Sequence, residues 1–314
     1  MSAAQFQQET GTRGEFVRQA NRFTDRVTAD GSSGWPVEPG RYQLVVSHAC
    51  PWSHRTVIVR RLLGLEAAIG LSVVDPIRDE RGWRFGLDPG GRDPATGYEL
   101  LAEAYLATDP EYRGRVTVPC LIDLHTRRVV TNDYPRITLD FETEWRGLHA
   151  AGAPDLYPEE LRDEIDAVNQ MVFRDVNNGV YRCGFAGSQE AYDEAYDALW
   201  ARMDWLAERL ATRRFLVGDR VTEADVRLFV TLVRFDAVYH GHFKCNRSKL
   251  TEVPVLWAYA RDLFQTPGFG DTVHFDHIKR HYYVTHDRIN PTRIVPKGPD
   301  LAGWSLPHGR DRLR

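Results

Sequence analysis

A chain of 314 residues has the length for about two domains, and 42% hydrophobic with 27% charged residues excludes a disordered or fibrous polymer. Forty basic against forty-four acidic side chains, a formal net charge of −4, exclude nucleic acid as a main partner, because nothing is in excess to neutralise phosphates. No stretch reaches the roughly 18 apolar residues of a membrane span. Residues 1–16 are polar and lack a secretory core, so the cytoplasm is the expected compartment. The four cysteines, Cys50, Cys120, Cys183 and Cys245, are widely spaced without a CxxC pair. That argues against a disulfide framework or a zinc ribbon and for a reactive thiol.

In chain order, residues 1–40 read as a polar N-terminal arm. Residues 42–47 read as a buried strand, 51–65 carry helical spacing, and 69–74 form a second strand, so a right-handed parallel βαβ unit is the economical reading. Residues 77–114, rich in Gly, Asp, Pro and Arg around one helical segment near 98–107, exceed an ordinary connection and read as an insertion with a task. Residues 116–123 and 128–131 read as strands joined by a tight turn, and 135–145 as a helix with proline in its first turn. The order βαβ, insertion, ββα predicts an α/β thioredoxin-like domain over 41–147.

From 148 to 289 the periodicity is helical, over 158–176, 189–211, 223–238, 255–264 and 272–283, which predicts an all-α second domain. Thr222 and Asp225 form a capping-box variant with Val221 as its hydrophobic staple. The tail, 290–314, is expected to run over the surface.

Cys50 falls between the first strand and the helix behind it. A thiol there faces unpaired backbone N–H groups and the positive end of the helix dipole, which favour the nucleophilic thiolate. Pro51 suits the first turn because it has no N–H to waste. Ser53 stands where a dithiol oxidoreductase carries its second cysteine, so a mixed disulfide on Cys50 needs an outside thiol to resolve it. The competing reading is an inert buried cysteine. Val118-Pro119 opens a strand; if cis, the bond would aim the Val118 peptide groups at the extended backbone of a bound thiol. An ordinary strand-start proline is the alternative there.

The segments ACPWSHRT (49–56), GWRF (82–85), RVTVP (115–119), VNNGVY (176–181), LVGD (216–219), RFD (234–236), VYHGHFKCN (238–246) and NPT (290–292) together resemble the glutathionyl-hydroquinone reductases, the Xi class of glutathione transferases. The likeness runs from about Gly34 onward. It implies a thioredoxin-like domain followed by an all-helical domain, a glutathione transferase fold in a homodimer, with no tightly bound cofactor. It also implies that Cys50 attacks the sulfur of an S-glutathionyl hydroquinone, keeps glutathione as a mixed disulfide and is released by a second thiol. Tyr181, Tyr239 and Tyr282 match the family's three site tyrosines, although a helical tyrosine taken alone is more often core. By the same resemblance Trp83 packs on the thiol, and Arg115, Val116, Val118 and Pro119 line its peptide.

Where the family carries Glu-Ser to grip the γ-glutamyl group, this chain has Asp133 and Tyr134. One side chain is a methylene shorter and the other is bulky, which opens the place to another small thiol such as mycothiol, which has no γ-glutamyl group. The scarcity of lysine, confined to Lys244, Lys249, Lys279 and Lys297, fits a G+C-rich coding sequence. His240 and His242 near Cys245, and His274, His277 and His281, lack the HExxH pattern; they are expected to hydrogen-bond or shape a pocket, with no metal. Two rival readings are a non-catalytic scaffold of the same fold and another cysteine-type transferase, a thioltransferase or dehydroascorbate reductase.

Overall fold

The computed structural model describes residues 9–313, so residues 1–8 of the arm and Arg314 of the tail lie outside the described residues. The chain divides into two compact units. The first holds Gln19–Ala153 and Asp276–Asp287; the second holds Glu9–Arg18, Pro154–Phe275 and the chain from Arg288 onward.

In the first unit, all five residues of β1 (Tyr42–Val46) are buried, as a central strand covered on both faces requires. Helix α1 (Pro51–Leu62) supplies the crossover that lets β2 (Ile69–Val73) pair parallel to β1, Tyr42 opposite Ile69 and Val46 opposite Val73. Strand β3 (Cys120–Asp123) pairs antiparallel to the other edge of β1, and β4 (Arg128–Thr131) to β3, giving the order β2-β1-β3-β4. With α3 (Tyr134–Thr143) packed beside α1, this is a thioredoxin-like unit. The strand expected over 116–123 joins the ladder only from Cys120. Pro119 has no N–H to donate, and its bond to Val118 is cis.

The insertion folds back over the sheet. The N–H of Phe85 donates to Glu99 O and that of Leu101 to Trp83 O, both at 3.0 Å, which leads into α2 (Leu101–Thr108). Phe85, Leu101 and Tyr105 then bury with Val116, Val118 and Ile122 in one apolar cluster that also takes in Trp83. The arm is tied down as well: Phe23 exchanges hydrogen bonds with Asn132, Thr24 bridges Thr131, and the Phe23 ring meets Tyr105 edge-on at 5.2 Å. It covers the β4 edge, where unpaired N–H and C=O groups would otherwise stand open.

The second unit is helical: α4 (Arg162–Val172), α5 (Gly179–Gly184), α6 (Gln189–Leu210), α7 (Glu223–Leu232) and α8 (Pro254–Gln265). Every residue of α7 is buried. At its head the Asp225 carboxylate accepts from Leu216 N and Thr222 N, both at 2.9 Å, and from the Tyr259 hydroxyl at 2.7 Å. The continuous helices expected over 158–176 and 223–238 are each interrupted, by π-helical turns at Phe173–Asn177 and Phe235–Tyr239. A third π turn, His281–Thr285, follows α9 (Phe275–Arg280), and from Asp276 onward this segment makes its contacts with the first unit.

The tail runs over the surface as expected, and of residues 290–313 only Trp304 and Arg310 are buried. Trp304 meets Trp257 at 4.6 Å and Phe264 at 4.9 Å, and buried Arg310 donates to Leu210 O at 3.1 Å and Arg214 O at 2.9 Å. Its prolines and glycines do not stop two large side chains from anchoring it. Among the described residues, no helix is long and apolar enough to cross a membrane.

Candidate active site

Cys50 caps α1 in an extended conformation, φ −76° and ψ 123°. Its N–H donates to Ser47 O and its carbonyl accepts the first helical bond from His54 N, both at 3.0 Å. The side chain is thus at the helix mouth, where orphan N–H groups and the dipole attract negative charge. Ser53 is fully buried and its hydroxyl accepts from Ser47 N at 3.3 Å, holding the strand-to-helix corner. Of the four cysteines only Cys50 is partly exposed. Burial pushes the Cys120 thiol well up, and burial with Cys183 alongside does the same to Cys245, which leaves both poor nucleophiles at neutral pH.

The structure brings Cys50 and Val118 together: the thiol lies 3.6 Å from Val118 O, in the peptide that precedes the cis bond to Pro119. Cys50 packs against the cluster that contains Trp83, Val116 and Val118. Arg115 is fixed through its backbone. Its N–H donates to Gln19 Oε1 at 2.7 Å and its carbonyl accepts from Gln19 Nε2 at 3.2 Å, so one arm side chain clamps the peptide group on both sides. Asn132 Nδ2 donates to Thr117 Oγ1 at 3.0 Å, tying the start of α3 to the same segment.

Asp133 is the residue before α3, and its carboxylate accepts from Asn21 Nδ2 at 3.0 Å. The Tyr134 ring lies against Trp52, 4.8 Å between centroids, and the Arg55 guanidinium stands 4.6 Å from the Trp52 ring. The bulky ring at position 134 therefore rests on the residue two after Cys50.

Trp83 is held by its neighbours on the first unit. His281 stacks on it at 5.2 Å and 21°, and Arg78 stands 5.2 Å from its centroid. His281 Nδ1 is 2.7 Å from Pro76 O. A carbonyl only accepts, so Nδ1 carries the proton and the ring orientation is set. Tyr282, buried, stands edge-on to His281 at 5.5 Å and to His286 at 5.3 Å. His277 meets His48 at 5.4 Å. No group of three or more His, Cys, Asp or Glu among the described residues could hold a metal.

In the second unit Tyr181 and Tyr239 come together, 6.0 Å between centroids at 61°. Phe243 touches both, edge-on to Tyr181 at 5.4 Å and stacked on Tyr239 at 5.6 Å. Each of the three tyrosines is tied to a π turn: Tyr181 sits just beyond Phe173–Asn177, Tyr239 ends Phe235–Tyr239, and Tyr282 lies within His281–Thr285. Such turns insert one extra residue and re-aim a side chain, and they concentrate at functional sites. Apolar spacing carries no sign of them. Gln19 and Asn21 were equally hidden, since nothing in a polar arm's composition says which side chains dock.

The family model for the glutathione S-transferase C-terminal domain matches residues 189–262. Glutathionyl-hydroquinone reductase YqjG of Escherichia coli is 46% identical over 308 residues, 96% of this chain and 93% of that protein. Its glutathione-bound structure superposes with a TM-score of 0.87 at 45% identity, covering 92% of this chain and 96% of that one. A glutathione transferase from Gordonia bronchialis is 62% identical with a TM-score of 0.91 over 92% of this chain and 90% of the other. The glutathione-S-transferase Xi from Phanerochaete chrysosporium is 44% identical with a TM-score of 0.90, over 95% and 96%.

Proposed function

The chain belongs to the glutathionyl-hydroquinone reductases, the Xi class of glutathione transferases, and we propose that it removes a small thiol from S-conjugated hydroquinones through a mixed disulfide on Cys50. The observation that carries this reading is the partly exposed Cys50 at the mouth of α1, 3.6 Å from the Val118 carbonyl, in a chain whose other cysteines are buried. The Cys50 thiolate attacks the sulfur of the conjugate and a new S–S bond forms. The carbon–sulfur bond breaks with its electron pair going to the ring carbon, which takes up a proton; Cys50 is oxidised and the aromatic is reduced. A second thiol then attacks the mixed disulfide, leaves as its own disulfide and returns the Cys50 thiolate.

Tyr181, Tyr239 and Tyr282 supply the proton and stabilise the oxygen of the keto tautomer, work that acidic phenols suit. Trp83, Arg115, Val116, Val118 and Pro119 hold the thiol's peptide, with the Val118 N–H and C=O pairing to it as to an added strand. The soluble partners are the thiol and the aromatic conjugate, the compartment is the cytoplasm, and the assembly is a homodimer. Replacing Cys50 by Ser should abolish turnover with the fold intact, because an alkoxide is a far poorer nucleophile toward sulfur. Near-normal turnover in Cys50→Ser would place the chemistry elsewhere.

A second reading concerns the thiol. The contact between Tyr134 and Trp52, and the engagement of Asp133 by Asn21, favour a thiol without a γ-glutamyl end, such as mycothiol. A γ-glutamyl group needs partners for both an ammonium and a carboxylate. Here the carboxylate is shorter and already accepts from an amide, and the small hydroxyl is replaced by a ring.

A further inference from the structure

The arm residues Phe16 and Arg18 have no part in the steps above, yet both close over Tyr181. Buried Phe16 stacks on the tyrosine at 6.4 Å and 27°. The Arg18 guanidinium carbon stands 5.1 Å from the Tyr181 centroid and 5.2 Å from that of Phe16. Its Nε donates to Asn178 Oδ1 at 3.1 Å. Asn178 precedes Tyr181 by three residues, so the anchor and the ring share one helix face. Phe185 at 6.0 Å and Phe243 at 5.4 Å are further rings around the phenol, and Tyr239 at 6.0 Å is a second titratable group against it.

We propose that Arg18 is a positioning residue for Tyr181, fixing its ring and making its hydroxyl a better proton donor. A cation over an aromatic face attracts the ring, and it attracts the more electron-rich phenolate more strongly than the phenol. The hydroxyl then gives up its proton more readily, which is what protonation of a departing carbon demands. Asn178 keeps the guanidinium in register with the ring, and Phe16 fills the remaining side. The inference rests on the reading of Tyr181 as an acid.

The test is single-turnover transfer of a glutathionyl group to Cys50 from two donors. An S-glutathionyl hydroquinone has a leaving carbon that needs a proton; glutathione disulfide has a leaving thiolate that does not. Arg18→Met, neutral and similar in length, should slow transfer from the hydroquinone roughly tenfold to a hundredfold. It should leave transfer from the disulfide within about twofold, which also shows that the variant is folded. Activity of a phenolic acid falls as pH rises through its pKa, so loss of the cation should move the alkaline limb to higher pH, and Arg18→Lys should move it back. Introduced into Tyr181→Phe, Arg18→Met should add no further loss. Equal slowing with both donors, an unmoved limb, or an additive loss in the double variant overturns the proposal. If Tyr181→Phe itself leaves the hydroquinone donor unaffected, the reading of Tyr181 falls instead.

Discussion

At the scale of single residues, what sets Cys50 apart is its surroundings. Three other thiols lie in the same chain, but only this one caps a helix just beyond a strand and stays partly open. The same scale decides the choice of thiol. Each charge-assisted hydrogen bond lost from a γ-glutamyl group is worth roughly 1.5–3 kcal/mol, which is about tenfold or more in affinity. Glutathione should therefore regenerate Cys50 more slowly than mycothiol at equal concentration, and Asp133→Glu/Tyr134→Ser should reverse the order. Regeneration rates of the preformed mixed disulfide check this; a parent protein that already prefers glutathione contradicts it. The placing of Cys50, Pro51 and Ser53 was legible because a thiol at a helix mouth is a local arrangement of adjacent residues. Gln19 clamping Arg115 was not, because ninety-six positions separate the two in the chain and only folding joins them.

Among the elements, the π turns and one glycine set the tyrosines of the helical unit. Helix α5 approaches the segment after Phe235–Tyr239 so closely that a Cβ on Gly184 would run into the Phe243 ring, which contacts both Tyr181 and Tyr239. Gly184→Ala must push that ring aside, at a cost of about 1–3 kcal/mol for overpacking. Turnover of the hydroquinone conjugate should fall, while reaction of Cys50 with a simple disulfide stays near the parent rate. Unchanged conjugate turnover would show that Phe243 has no part in placing the phenols. The strands, α1, α3, α6 and α8 were readable from apolar spacing to within a few residues. The breaks at Phe173–Asn177 and Phe235–Tyr239 were not, because an extra residue in a turn leaves the composition unchanged and shifts the apolar phase by only one position.

For the whole molecule, the two-part fold follows from the change from short strands to continuous helical spacing after Gly147, and the relatives share it over most of their length. Which unit claims the segment 276–287 could not be read that way, since a helical period says nothing about what its apolar face meets. Stability should also depend on acid through the helical unit. Burial, with Lys244 adding a smaller repulsion, depresses His242 from 6.5 to about 4. The unfolded chain then takes up a proton before the folded one, so stability falls as pH drops from about 6.5 toward 4, by up to about 1.4 kcal/mol per unit. Burial lowers His277 as well, with the same sign. Urea unfolding at several pH values should show a shallower dependence in His242→Gln than in the parent; equal slopes would contradict this assignment.

Transfer of the thiol to one named sulfur is the claim on which the rest depends, and intact-protein and peptide mass spectrometry after a single exposure to an S-glutathionyl hydroquinone reads it directly. The predicted result is one glutathionyl group on Cys50, with free hydroquinone released in equal amount and Cys120, Cys183 and Cys245 unmodified. An unmodified protein, an adduct that retains the aromatic ring, or a glutathionyl group on another cysteine would contradict the account.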